Sequence, residues 1–244
     1  MEWNNRTHLL IGEENVGILS RAHVAICGMG AVGSFAVEAL ARAGVGHLRL
    51  VDYDHVHPSN INRQLFALTS TQGMKKTEVA RIRVKDINPL CHVEILDTYI
   101  DETTNPRIME GQVDVMIDAI DSLTPKIFLI ANAFRAGIPV ISSMGAAGRM
   151  DANAITTGDL SETHTCPLAR FVRRRLHRQG IFSGIRCIFS TEMPMKKKKE
   201  DKEPHDGKRQ APVLGSISYV TAIYGLKAAY EAIDCLLKQK GGCP

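Results

Sequence analysis

No pair of cysteines in this chain is spaced C-x-x-C, although six cysteines are present (Cys27, Cys91, Cys166, Cys187, Cys235 and Cys243). That absence argues against a structural zinc site, whose thiolates usually come in close pairs. A disulfide framework does not suit a chain of 244 residues with 44% hydrophobic side chains, enough to bury a full core. The expectation is a reduced, cytoplasmic protein. No run of apolar residues approaches the roughly 18 needed to span a bilayer, so no membrane association is expected. The opening "MEWNNRTHLLIGEENVG" lacks the charged-then-apolar order of a signal peptide. No internal repeat is visible.

What is present is uneven in charge. The formal net charge is +4, but residues 170–209 hold 13 Lys and Arg against 5 Asp and Glu, a net +8. The remainder, with 17 basic and 21 acidic residues, carries −4. Segregation of this kind suggests a polyanionic partner, although a solvated loop would show the same composition.

The hydrophobic pattern alternates short apolar runs with helical periods. "HVAICG" (23–28), "HLRLVDYD" (47–54), "HVEILDTYI" (92–100), "VDVMIDAID" (113–121) and "IPVISSMG" (138–145) read as strands. Residues 31–44, 75–86 and 125–137 read as helices. Beyond Gly148 the pattern loosens into a basic helix (164–180), a short strand within 185–194, a charged low-complexity stretch (196–210) and a closing helix over 214–237. The fold class expected is α/β: a doubly wound, mostly parallel Rossmann-like sheet with a basic C-terminal extension. The division expected is an adenylation domain over 1–150 and the extension over 151–244.

Gly28, Gly30 and Gly33 form G-x-G-x-x-G between the first strand and the first periodic helix, and Asp52 follows 19 residues after Gly33. In that context the glycines admit phosphates to a helix N-terminus, and the carboxylate accepts ribose hydroxyls. A nicotinamide enzyme and an ATP enzyme share these features. The next stretch separates them. Asp54, Asn60, Arg63, Gln64 and Lys76 lie just beyond the second strand, and the two cations there suit a triphosphate better than a hydride carrier. The register G-x-x-K from Gly73 favours Lys76 over Lys75. Asp121 could hold Mg²⁺ on a phosphate, with Asp118 a competitor for that role and helix capping the alternative.

"GMGAVGS", "DYDHVHPSNINRQ", "GMKKTE" and "IDAIDS" resemble the ATP-binding signature of the ThiF/MoeB/ubiquitin-activating superfamily, whose members adenylate a carboxylate. "RTHLLIG", "ISSMGAAGRMD" and "THTCPLARFVRRRLHRQGI" are similar to its TcdA (CsdL) branch, the tRNA threonylcarbamoyladenosine dehydratases. The resemblance implies that Gly28, Gly30 and Gly33 cradle phosphates and that Asp52 takes the ribose. It implies that Asn60, Arg63 and Lys76 contact phosphates with Gln64 beside them, and that Asp121 takes Mg²⁺. Arg6 falls where the superfamily reaches into a neighbouring subunit's ATP site, which implies a homodimer. A monovalent cation and sulfur-transfer partners occur around relatives and are left open. The resemblance gives tRNA as the substrate, and Arg170, Arg173, Arg174, Arg175 and Arg178 are the candidate contacts to its backbone. Cys166 and Cys187 could serve as nucleophiles but are more simply inert core thiols. The alternative is adenylation of the C-terminus of a small sulfur-carrier protein, against which the absent C-x-x-C pairs and the localised positive charge argue.

Overall fold

A computed structural model of the chain describes residues 2–195 and 214–238. Its elements in chain order are α1 (Asn5–Arg21), β1 (His23–Cys27), α2 (Gly33–Ala43), β2 (His47–Asp52), α3 (Lys76–Ile87), β3 (His92–Asp97), a single turn α4 (Asn105–Ile108), β4 (Val115–Asp118), α5 (Leu123–Arg135), β5 (Val140–Ser143), β6 (Ile155–Asp159), α6 (Pro167–His177), β7 (Arg186–Ser190) and α7 (Ser218–Lys238). The seven strands form one sheet in the order β3-β2-β1-β4-β5-β7-β6. All neighbours are parallel except β6, which pairs antiparallel to β7. The sheet therefore runs across residue 150 without a break.

The short apolar runs become strands because both faces of a parallel sheet are covered. Alternate residues of β1 divide between the two sides. Val24 and Ile26 join a core with Val37, Leu40, Val84, Val220 and Tyr224 from α2, α3 and α7. Ala25 and Cys27 face Leu129, Ile130, Val172 and Leu176 from α5 and α6. The α7 helix closes tightly on α2: a Cβ on Gly225 would lie 2.4 Å from the Val32 carbonyl oxygen. The chain after residue 214 thus buttresses the glycine turn.

Most expected elements appear with shorter ends. The strand expected over 113–121 spans only Val115–Asp118, so Asp121 sits on the following loop rather than at a strand tip. The helix expected from Pro125 begins at Leu123, with Pro125 inside its first turn, where its missing N–H costs nothing. Three elements have no counterpart in the sequence reading: α1, α4 and β6. The first is broken by Gly12 at φ +82°, which interrupts any apolar period. The charged stretch expected over 196–210 lies outside the described residues. Among the described residues no helix is long and apolar enough to cross a membrane.

Candidate nucleotide site and basic helix

The order of strands reverses between β1 and β4, and open α/β sheets bind ligands in the crevice above such a point. Three loops meet there, following β1, β2 and β4. The glycine turn after β1 has little room. Gly28 adopts φ +95°, and a Cβ there would stand 2.8 Å from the Ala119 carbonyl oxygen. A Cβ on Gly33 would overlap the Gly28 carbonyl oxygen at 1.7 Å, so its hydrogen lets α2 press onto β1. Gly30 differs: the nearest atom a Cβ would meet is Gln64 Nε2, at 3.9 Å. Its Cα is open to a ligand, at the N-terminal end of an 11-residue helix without a side-chain cap.

Asp52 ends β2 and is nearly buried. Its two oxygens accept the N–H of Met29 at 2.6 Å and that of Asp54 at 2.9 Å, tying the glycine turn to the second loop. Burial pushes its pKa up, opposed by the Lys76 charge and by these two N–H donors. Each oxygen retains a lone pair for a hydroxyl donor.

Lys76 opens α3 and is buried, with Nζ donating to Asp54 Oδ2 at 2.9 Å. Lys75 turns outward to pair with Asp97 at the end of β3. Asn60 is buried in a 3-10 turn, where its Oδ1 accepts the His57 N–H at 3.1 Å and its carbonyl oxygen accepts the N–H of Gln64 at 2.9 Å. Arg63 is half-buried, and its Nη1 donates to Ser59 O at 2.7 Å and Asn62 Oδ1 at 2.8 Å within its own turn. The structure thus brings together Gly30 with Gln64, Asp52 with the glycine turn, and Asp54 with Lys76. Arg6 stands apart, exposed on α1.

The third loop rests on a buried ion pair that was not anticipated. Lys126 and Asp118 are fully buried, joined Nζ to Oδ2 at 2.5 Å. Ser142 Oγ donates to the same carboxylate oxygen at 2.6 Å, and Lys126 also donates to Ser143 O at 2.9 Å. The other oxygen of Asp118 accepts the Ile120 N–H at 3.1 Å, which shapes the turn carrying Asp121. Asp118 is therefore committed to Lys126, whereas Asp121 is exposed and, among the described residues, its side chain accepts a hydrogen bond from Ser122 Oγ alone, at 3.4 Å. Among the described residues no three His, Cys, Asp or Glu side chains group to hold a metal ion. A Mg²⁺ at Asp121 would need phosphate and water for its other ligands, as Mg²⁺ commonly does.

The helix α6 divides the five candidate arginines. Ala169, Val172 and Leu176 are its buried face. Arg170, Arg173, Arg174, His177 and Arg178 line an open cleft of about 420 Å³. Arg175 is exposed but does not line it. Arg173 is partly committed elsewhere: its Nη1 donates to Thr163 O at 2.5 Å and Thr163 Oγ1 at 2.7 Å, holding the turn before α6.

Burial holds the Cys27 and Cys187 thiols well above the ordinary thiol range, with nearby Asp118 adding to the rise, which favours the thiol over the thiolate. Cys166 is buried at the N-terminal end of α6, its Sγ 3.4 Å from the position of a Cβ on Gly145. A second unanticipated residue is Arg149, buried beyond β5, where Nε donates to Gly145 O at 3.2 Å. It lies in the stretch ISSMGAAGRMD, which carried the family resemblance but gave Arg149 no role of its own.

Comparison with known proteins places these features. The profile described as the ThiF family matches residues 4–243. A Bacillus subtilis (strain 168) tRNA threonylcarbamoyladenosine dehydratase is 40% identical, covering 96% of this chain and 94% of the relative. An Escherichia coli (strain K12) protein of the same name is 35% identical over 96% of this chain and 94% of its own length. The crystal structure of E. coli tRNA N6-threonylcarbamoyladenosine dehydratase, TcdA, in complex with ATP superposes with a TM-score of 0.87 at 34% identity, covering 99% of this chain and 97% of that one.

Proposed function

We propose, from the premise that this chain belongs to the ThiF family, that it is an ATP-dependent tRNA threonylcarbamoyladenosine dehydratase. The observation that carries this reading is the full-length likeness to the dehydratases, including the one bound to ATP. The crevice supports it, since it holds an open glycine at a helix N-terminus, a buried carboxylate and a buried lysine on adjoining loops.

The substrate in this reading is the threonylcarbamoyl adenosine of a tRNA. Its carboxylate oxygen attacks the α-phosphorus of ATP, and pyrophosphate leaves. Lys76 and Arg63 offset charge on the departing phosphates; Arg63 swings from its own turn to do so. Asp52 orients the ribose. Mg²⁺ bound with Asp121 would add positive charge at the phosphates. A nitrogen of the same side chain then attacks the acyl carbon, AMP leaves, and a proton is lost. The product is a cyclic hydantoin, and the modified nucleoside has lost one water. Because both partners belong to one side chain, holding the adenylate in place supplies much of the second step.

We place the active form as a homodimer. Leu9 and Leu10 are 75% and 85% exposed on α1, on the same helix as Arg6. A second copy covering this helix would shield the leucines and deliver Arg6 to a neighbouring crevice. The outer arginines of α6 contact the tRNA backbone.

The test supplies tRNA carrying the modified adenosine together with ATP, then follows the nucleosides by mass spectrometry. Expected are loss of one water and equal release of AMP and pyrophosphate. Consumption of ATP only when a small carrier protein is added would overturn the reading in favour of carrier adenylation.

A further inference from the structure

Of the seven phenylalanines in this chain, three are exposed among the described residues, and all three lie on α5, α6 or the loop after it. Phe171 is 37% exposed, Phe134 39% and Phe182 63%. Burying them would have stabilised the fold, so their shared position outside the core calls for an explanation.

Their surroundings are cationic. Arg170 and Arg174 place their guanidinium carbons 5.5 and 5.1 Å from the Phe171 ring centroid. Phe182 lies 5.2 Å from the His177 ring, inclined at 45°. His177 and Arg178 line the same cleft as Arg170 and Arg174, and among the described residues no acidic side chain lines it. Phe134 adjoins this end of α6 across Gly184, where a Cβ would come within 3.1 Å of its ring. Exposed rings set among arginines without an ion pair among the described residues are the pattern that holds single-stranded nucleic acid: cations follow phosphates while rings stack on bases of any identity. A duplex hides its base faces, so the rings serve only unpaired nucleotides.

We propose that Phe182, backed by His177, is a stacking platform for an unpaired base of the substrate tRNA, with Arg174 and Arg178 gripping the adjoining phosphates. This rests on the tRNA reading above and adds to it that α6 grips loop nucleotides rather than helical stem. A protein partner with an acidic, apolar face would use the same patch differently, and the test separates the two.

The experiment measures binding of the full chain to three probes across a salt series: intact tRNA, an anticodon stem-loop, and a duplex of equal charge without a loop. Phe182→Ala should weaken stem-loop binding about tenfold, the order expected for one lost stack, and leave the salt slope unchanged. Its affinity for the duplex should not move. Phe182→Trp should restore stem-loop binding, and its indole should be quenched when the stem-loop binds. Phe182→Trp/Trp3→Phe isolates that signal, Trp3 being the one native tryptophan. Arg174→Gln with Arg178→Gln should weaken all three probes and flatten the salt slope by between one and two units, roughly 0.9 per lost contact. Equal loss on stem-loop and duplex in Phe182→Ala, or an unquenched tryptophan, overturns the stacking while tRNA binding stands. Unchanged affinity of Phe182→Ala for every RNA overturns it in favour of a protein partner. Failure of the unaltered protein to bind any tRNA overturns both readings at once.

Discussion

Charge is handled in opposite ways in the crevice and on α6. In the crevice both buried lysines have an acidic partner at close range: Lys76 with Asp54, Lys126 with Asp118. On α6 none of Arg170, Arg174 and Arg178 forms an ion pair among the described residues. Desolvation explains the difference. A buried charge without a partner costs several kcal/mol, so the fold neutralises it internally, and a reacting group entering the crevice meets charges already fixed in place. Exposed arginines remain hydrated, need no internal partner, and are available to a polyanion. Losing a crevice charge should therefore damage chemistry, and losing a surface charge should damage affinity.

The sharpest way to break that contrast is in the crevice. Lys76→Ala leaves Asp54 unopposed and removes the cation proposed to face the phosphates, so turnover should fall by roughly 10²-fold or more, and Arg63→Ala should follow. AMP release under saturating ATP checks both, with circular dichroism confirming the fold. Turnover close to normal in Lys76→Ala would mean that its pairing with Asp54 is purely structural. Nearly as large an effect is expected at Arg6 if it acts across a dimer. Arg6→Ala and Asp121→Ala should each be inactive, and mixing them should restore activity, because one hybrid site keeps both residues. Absence of rescue, with subunit exchange shown by mass spectrometry, would return Arg6 to an ordinary surface role.

The contrast can also be sharpened inside α6 itself. Arg173→Ala takes the donor from the Thr163 carbonyl oxygen, while the Thr163 hydroxyl keeps its bond to Leu160 O, and should lower stability by about 1–3 kcal/mol. Arg174→Gln should leave the denaturation midpoint unchanged while reducing the salt dependence of tRNA binding by just under one unit. Urea melts and a salt series on both variants distinguish them; identical behaviour would dissolve the distinction between anchoring and gripping arginines.

The smallest effect is expected at the opposite end of the sheet. There His23, His47 and His92 start three neighbouring strands in register, with the His23 and His47 rings stacked 3.9 Å apart. Burial, then the neighbouring His23 and His92, lowers the His47 pKa, with Asp114 opposing. Between the lowered folded value and an unfolded value near 6.5, the unfolded chain binds more protons, so stability falls as pH drops through that window. The unfolding temperature of the native protein should fall more between pH 7 and 5.5 than that of His47→Gln. Parallel declines would assign the acid sensitivity elsewhere.

Much of the crevice was legible because its parts lie close in sequence. The glycine spacing, Asp52 and the register of Lys76 are local facts, and the shape of a strand–turn–helix unit follows from them. That Asp118 is buried against a partner while Asp121 is exposed was not legible, because it turns on Lys126 eight residues later and on Ser142 in the next strand. The five arginines of α6 looked equivalent for a related reason: their number was visible, but the Thr163 turn that claims Arg173 and the flank that separates Arg175 were not.

The sequence by itself determined the α/β alternation, the nucleotide-binding turn and the localisation of positive charge, all of which depend on periodicity or on neighbours within a few residues. Only the tertiary structure decided which charges are spent internally and which face solvent. It also decided that β6 and β7 extend the same sheet, that α7 braces the glycine turn, and that three phenylalanines gather beside the arginines. The physical reason is that burial belongs to the packed whole. A side chain's cost and its partner are set by elements that meet it in space, and no window of sequence contains them.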